Sequence, residues 1–190
     1  MRDGMKTREA IEKAAISLFV EKGIAGTSIR DIAGAAGVSE GALYRHFEGK
    51  EVMARTIFRS RYLDLTERLD AVAREGRGLR ARLFNMIELF GDLFDDDPVL
   101  FSFLLLTQHE HLAALPKGVR TPLIVIQDVL TEAAEAGETR IRNPELATAA
   151  VMGIVLQTAT FRVYGRIATP MRELVEELTE TCWNAVGDGQ

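Results

Sequence analysis

Prolines mark the starts of helices along this chain. Four of the five prolines directly follow a residue whose side chain commonly caps a helix N-terminus. Proline is well tolerated at the first helical position, because its missing N–H would have no intrahelical acceptor there. The pattern therefore predicts helices that start at four dipeptides: Asp97-Pro98, Thr121-Pro122, Asn143-Pro144 and Thr169-Pro170.

The apolar residues between these marks recur at spacings of three and four. Ile11, Ala15 and Leu18 show this spacing near the start of the chain, and Leu83 and Met86 show it further along. No stretch alternates at period two between hairpin turns. The sequence predicts an all-α fold of about nine helices, near 7–23, 28–35, 39–46, 50–75, 78–94, 98–113, 121–136, 144–165 and 170–186.

The segment from residue 27 to residue 47 has the parts of a helix-turn-helix. Ser28 and Asp31 form a capping box that starts one helix, and Gly37 suits the left-handed conformation that ends it. Ser39 is a good N-cap for the next helix. Two short helices joined by a few residues with a glycine are typical of a DNA-binding helix-turn-helix. We therefore predict a DNA-binding domain over residues 1–50, and a second helical domain over residues 51–190.

In such a motif the second helix offers its N-terminal residues to the major groove of DNA. Leu43 and Phe47 are four residues apart and should face the core, which leaves Tyr44 and His46 for the DNA backbone. Gly41 would let the protein backbone come close to a base edge or phosphate. An ordinary exposed tyrosine and histidine in a structural helix is the alternative. The charge distribution favours DNA: residues 1–62 carry a net charge of +3 and the remainder −8.

The same segment resembles the DNA-binding domain of the TetR family of bacterial transcriptional regulators. The resemblance rests on Ala15–Phe19, Glu21–Gly23, Thr27–Ala33, Ala36–Ser39, Gly41–Phe47 and Lys50-Glu51. It implies a homodimeric, all-helical repressor that binds pseudo-palindromic operator DNA and a small effector. Carried over by position, the DNA-contact residues are Thr27, Ser28, Arg30, Ser39, Gly41, Ala42, Tyr44, His46 and Lys50. Glu40 joins them, since its carboxylate can accept a hydrogen bond from cytosine N4.

The second domain is expected to bind an unknown, largely apolar effector and to dimerise. The helix near 98–113 is apolar almost all round, which predicts burial on every side or a cavity wall. The candidate ligand-binding residues are Met86, Phe90, Phe103, Thr107, His111, Gln127, Gln157 and Phe161. The helices near 144–165 and 170–186 carry long apolar faces, and the family resemblance implies that they form the homodimer interface. A monomer core is the alternative.

No metal, cofactor or membrane attachment is expected. His109 and His111 lie two residues apart, which points them in different directions on a helix. The single cysteine excludes an intramolecular disulfide, and no apolar run reaches the roughly 20 residues of a membrane span. We expect a cytoplasmic DNA-binding regulator that is not an enzyme. The alternatives are a helical protein-interaction module and an all-α enzyme.

Overall fold

The computed structural model describes residues 2–187, apart from the side chains of residues 2 and 3. Over this range the chain forms nine α-helices, which confirms the predicted all-α fold. In chain order they are α1 Arg2–Gly26, α2 Ile29–Ala36, α3 Glu40–Tyr44, α4 Lys50–Glu75, α5 Leu79–Asp96, α6 Pro98–Leu112, α7 Pro122–Glu135, α8 Pro144–Val163 and α9 Val175–Val186. A 3-10 helix, Met171–Leu174, precedes α9.

Three of the four proline marks are the first residues of α-helices. Pro98, Pro122 and Pro144 open α6, α7 and α8. Before α8 the Asn143 side chain accepts the amide of Leu146 at 2.8 Å, as an N-cap should. The mark at Thr169-Pro170 was predicted to open an α-helix, and this is wrong in detail: the 3-10 helix comes first and α9 begins at Val175.

The start of α9 is shaped by a close approach of two backbones. A Cβ atom on Gly91 of α5 would lie 3.3 Å from backbone atoms of Met171 and Arg172. The Asp95 carboxylate, one turn further along α5, accepts the amides of Met171 at 3.2 Å and Arg172 at 2.9 Å. These contacts hold the tight 3-10 turn against α5, so the regular helix starts later than its proline.

The described residues divide into two compact units. Unit 1 contains the chain up to Arg61 together with Val99–Leu115, and unit 2 contains Tyr62–Pro98 together with the chain from Pro116 onwards. This division differs from the predicted boundary between residues 50 and 51, because the first turns of α4 and almost all of α6 belong with α1–α3. The functional assignment of residues 1–50 and 51–190 stays a prediction.

Aromatic side chains of α6 help to form the core of unit 1. Phe103 is fully buried, and its ring centroid lies 6.0 Å from that of Phe19 on α1. His111 is also buried, with its ring 5.0 Å from Phe58 on α4 and 6.4 Å from Phe103. The core of the unit that contains the helix-turn-helix therefore includes side chains from α1, α4 and α6.

Unit 2 is built mainly from α5, α7, α8 and α9, with α5 packed on α9 and α8 packed on both α7 and α9. Four of the five buried residues of α8 recur every four positions, at Ala147, Val151, Val155 and Ala159, and the fifth is Thr148. This spacing places one face of α8 in the core of unit 2.

Helix α8 is also long and apolar enough to cross a membrane by length and composition. The expectation that no apolar stretch is long enough for a membrane span is therefore wrong. Core helices of soluble proteins pass the same test, and α8 has one face in a protein core, so its composition is weak evidence for a membrane span.

Candidate nucleic-acid interface

The junction between α1 and α2 is fixed by the side chains of Thr27 and Lys50. Thr27 is buried, and its hydroxyl hydrogen-bonds to the carbonyl oxygens of Gly23 at 2.8 Å and Leu18 at 3.2 Å. Lys50 donates from Nζ to the carbonyl oxygens of Ala25 at 2.9 Å and Thr27 at 2.8 Å. Both side chains, predicted to lie in the DNA-contact region, are thus bonded to the domain's own backbone and set where α2 begins.

A capping box starts α2, as the sequence predicts. The amide of Asp31 donates to Ser28 Oγ and the amide of Ser28 donates to Asp31 Oδ2, each at 3.1 Å. Hydrogen bonds from the Ser28 side chain and backbone hold the pKa of the Asp31 carboxyl below its usual value. The carboxylate therefore stays ionised at neutral pH, where its negative charge is stabilised by the N-terminus of α2.

The turn between α2 and α3 has the predicted geometry. Gly37 has φ 67° and ψ 30°, a left-handed conformation in which glycine has no steric penalty. Ser39 accepts the amide of Ala42 at 3.2 Å and so caps α3. Helix α3 ends at Tyr44, two residues before the predicted end. The amides of His46 and Phe47 both donate to the carbonyl of Leu43, which closes α3 with a tight turn.

The side chains of α3 divide between the core and the surface as the 3.6-residue period predicts. Leu43 is fully buried and Phe47 nearly so, whereas Tyr44 is 54% exposed. His46 is half-buried. The remaining predicted contact residues are Arg30, Ser39, Glu40 and Gly41, which are exposed, and Ala42, which is half-buried. The structure thus gathers most of the predicted residues on the exposed side of the helix-turn-helix.

Gly41 has no structural reason to be glycine within the described residues. A Cβ atom added there would have no atom within 4 Å, and the residue does not have a positive φ. Glycine in a helix interior costs about 0.5–1 kcal/mol relative to alanine. An exposed helix that keeps this glycine has room on its surface for the close approach of another molecule.

Sequence reasoning missed a set of residues that holds α3 in place. The guanidinium of Arg8 lies 5.0 Å from the centroid of the Phe47 ring. Arg8 also pairs with Glu12 at 2.9 Å, and Glu12 pairs with Arg61 of α4 at 3.1 Å. The four-residue spacing of Arg8 and Glu12 was a visible signal for their ion pair. The sequence contains no such signal for Arg61, which is 49 positions from its partner.

The eight predicted ligand-binding residues are divided between the two units. Phe103, Thr107 and His111 belong to unit 1, and the other five, Met86, Phe90, Gln127, Gln157 and Phe161, belong to unit 2. Met86 and Phe90 are buried, Gln127 is half-buried, and both Gln157 and Phe161 are exposed. The Thr107 hydroxyl is already bonded to the carbonyl of Phe103 at 2.7 Å. These placements do not test whether the residues meet a ligand.

The buried imidazole of His111, in unit 1, has one ring nitrogen that makes no hydrogen bond to the described residues. This nitrogen is Nε2. Burial lowers the pKa of His111, so the side chain is neutral at neutral pH. No group of three or more His, Cys, Asp or Glu side chains in the described part of the chain is arranged to hold a metal ion.

Comparisons with known proteins agree with this geometry. Residues 11–57 match the family model described as bacterial regulatory proteins, tetR family. The chain is 40% identical over 82 residues to the transcriptional repressor KstR2 of Rhodococcus jostii, covering 43% of this chain and 39% of that protein. The chain therefore spans about two fifths of the length of this curated relative.

Two solved structures share the whole fold at low sequence identity. A tetR-family regulatory protein from Rhodococcus RHA1 superposes with a TM-score of 0.83 at 21% identity, covering 97% of this chain and 98% of that chain. The FadR regulator of Bacillus subtilis, solved in complex with stearoyl-CoA, has a TM-score of 0.75 at 21% identity and covers 92% and 96%. At this level of identity the likeness supports the fold alone.

Proposed function

From the match of residues 11–57 to the tetR family of bacterial regulatory proteins, we propose that this chain is a homodimeric transcriptional repressor released from operator DNA by a small effector. The observation that carries the proposal is the exposed surface of α2 and α3. Two capped helices there present Arg30, Ser39 and Tyr44 to solvent, while Leu43 and Phe47 anchor α3 in the core.

On DNA, α3 would enter the major groove with Gly41 and Ala42 closest to the base edges. Tyr44 and His46 would hold phosphates, and Arg30 would reach a phosphate or a guanine edge. Thr27 and Lys50 would support DNA binding indirectly, by fixing where α2 begins, because their side chains are hydrogen-bonded to the backbone of the domain. The N-terminal end of α3 carries few long side chains. Much of the preference for particular DNA sequences would therefore come from Glu40, from Arg30 and from DNA shape.

The homodimer would form through α8 and α9. Helix α8 and its C-cap residue Tyr164 expose a continuous face without a formal charge, made of Leu146, Ala149, Gly153, Gln157, Phe161 and Tyr164. Leu146 is 68% exposed and Tyr164 60%, which is unusual for large apolar or aromatic side chains on a monomer. Two such faces packed against each other would remove this surface from water. A dimer would also supply the second recognition helix that a pseudo-palindromic operator needs.

The effector would be a small, largely apolar molecule bound within residues 51–190, the part of the chain that contains the eight predicted ligand-binding residues. The FadR relative is described in complex with stearoyl-CoA, which is a precedent for an acyl chain in this fold. Binding would change the separation of the two recognition helices, which must lie about 34–36 Å apart to enter successive major grooves. Effector and DNA would then weaken each other's binding by the same factor. A repressor of this kind would work in the cytoplasm, where the DNA is.

The salt dependence of DNA binding tests the proposal. We would measure the affinity for random duplexes of about 30 base pairs at several salt concentrations, since about 0.9 counterions are released per phosphate contact. We expect a steep negative slope of log K against log salt. Arg30→Ala should reduce that slope by about one unit. The matched control is Arg142→Ala, which removes another exposed arginine, just before α8. A flat plot for the wild-type protein would refute DNA binding.

Tyr44→Ala separates the repressor from the other two possibilities. We expect this variant to remain a folded dimer and to bind DNA at least several-fold more weakly. If a folded dimer with this substitution bound DNA as the wild type does, a protein-interaction module would be the better explanation. An all-α enzyme is the less favoured alternative, because residues 11–57 match a family of transcription regulators.

A further inference from the structure

A cleft lies in unit 2 between the start of α5 and the first turns of α9. Its volume is about 620 Å³, within the roughly 300–1,000 Å³ of small-molecule sites. It is lined by Arg77, Arg80, Ala81, Phe84, Asn85, Glu176 and Thr179. None of the eight predicted ligand-binding residues is among these, so the cleft is a separate place from the effector site described above.

The charged side chains that line the cleft are Arg77, Arg80 and Glu176. Arg80 is paired with Glu180 at 2.7 Å. Glu176 lies in the first turn of α9, where the helix N-terminus stabilises a negative charge. Arg77 is exposed and has no hydrogen-bond or ion-pair partner among the described residues. The guanidinium of Arg77 is therefore free to bind an anion.

The N-terminus of α5 is already occupied by a carboxylate. Glu138 accepts the amide of Leu79 through Oε2 at 2.6 Å, at a helix start where Gly78 provides no side-chain cap. An anion that enters the cleft would thus find the guanidinium group of Arg77 rather than free helix amides. Arginine binds carboxylates through two parallel hydrogen bonds, which gives such a contact its orientation.

The rest of the cleft wall suits a hydrocarbon. Phe84 and Ala81 are half-buried, and they follow Arg80 on the same helix. The hydroxyl of Thr179 is bonded to the carbonyl of Val175 at 2.7 Å and offers no free donor. The Asn85 amide is the remaining uncharged polar group, with a long hydrogen bond of 3.4 Å to the carbonyl of Val72. The cleft therefore combines one unpaired guanidinium, that of Arg77, with an apolar wall, and it also carries the carboxylate of Glu176.

We propose that this cleft binds an amphipathic organic anion, a carboxylate on a hydrocarbon body. Its carboxylate would pair with Arg77 and its hydrocarbon would lie against Phe84. Binding of such a molecule would tie the start of α5 to α9. The proposal does not depend on DNA binding, because it concerns residues of unit 2 alone.

A reporter for this binding is built into the chain. Trp183 is the single tryptophan, and it lies one turn after Thr179 on α9. We would titrate the full-length, DNA-free protein with decanoate, following both the heat of binding and the fluorescence of Trp183. We expect saturable binding of one decanoate per chain. Arg77→Ala should weaken it at least tenfold, and so should Phe84→Ala.

The matched control is Arg74→Ala, which removes an exposed arginine one turn before Arg77 that is paired with Asp70 and does not line the cleft. This variant should bind decanoate as the wild type does. Decanol should bind at least tenfold more weakly than decanoate, because it lacks the charge, and inorganic phosphate should not compete at equal concentration, because it lacks the hydrocarbon.

Three outcomes would overturn the proposal. They are no saturable decanoate binding by the wild type, equal losses for the Arg77 and Arg74 variants, and equal binding of decanol. Competition by phosphate would show that the cleft binds anions without regard to a hydrocarbon body, and this result would also refute the proposal. The decanoate titration needs no DNA, so a negative result would not count against the repressor proposal. Likewise, a flat plot of DNA affinity against salt would not count against ligand binding in the cleft.

Discussion

Replacing Phe103 with alanine tests whether α6 is part of the core of unit 1. The side chain is fully buried and stacks on Phe19 of α1. A buried phenylalanine removes about 150–250 Å² from water, and truncation to alanine in a core typically costs about 3–5 kcal/mol. Unit 1 contains 61 residues of the first segment and 17 of the second. At about 0.05–0.15 kcal/mol per residue, a unit of this size is stable by about 4–12 kcal/mol.

The substitution should thus remove about a quarter or more of that stability. The fluorescence of Trp183 reports on unit 2, so hydrogen exchange of peptides from α1 and α2 is the better measurement. A loss of about 3 kcal/mol would raise their exchange by about two orders of magnitude. Leu106→Ala on the same helix is the control, because Leu106 is 45% exposed and should cost under about 1 kcal/mol. Faster exchange in α6 alone, with α1 and α2 unchanged, would refute the shared core.

Three further predictions concern single residues. Thr27→Val should destabilise unit 1 by about 1–3 kcal/mol, because two backbone carbonyls lose their donor, and hydrogen exchange of α1 and α2 would show it. Gly41→Ala should stabilise α3 by up to about 1 kcal/mol yet weaken DNA binding, and Gly34→Ala, another exposed helical glycine with open space, is the control for stability. For His111, whose pKa is lowered by burial, the unfolded chain binds more protons near pH 6. Urea midpoints should therefore fall as pH drops below about 6.5, and His111→Leu should abolish that dependence.

Local signals made the helix starts and the orientation of α3 predictable. The prolines that open α6, α7 and α8 are preceded by capping residues, so each start is encoded within two or three positions. The four-residue spacing of Leu43 and Phe47 predicted their burial, although Phe47 lies in the turn that closes α3 and not on the helix itself. Such features depend on near neighbours in the chain, which a single sequence displays.

The inward orientation of Lys50 could not be predicted in the same way. Its position in the motif suggested a phosphate contact, but its Nζ reaches carbonyl groups 23 and 25 positions earlier. The pairing of Arg61 with Glu12 spans 49 positions. Both depend on how helices pack, and helix packing is set by many side chains at once rather than by a spacing in the sequence.

The place of α6 was the largest unpredicted feature. Its apolar residues all round predicted burial or a cavity wall, and Phe101, Phe103 and Leu104 are indeed buried. Composition alone did not indicate which helices bury them. The structure assigns α6 to the unit that contains the helix-turn-helix, so a boundary drawn from sequence motifs placed it in the other domain.

The two-segment make-up of unit 1 has a consequence for the order of folding during synthesis. Residues 62–98 belong to unit 2 and leave the ribosome before α6, which unit 1 needs for its core. The helix-turn-helix segment must therefore wait, with Phe19 and Phe58 lacking their α6 partners, until residue 115 has been made. At about 5–20 residues per second this wait lasts several seconds. A nascent chain arrested before α6 would expose apolar surface and be a substrate for chaperones.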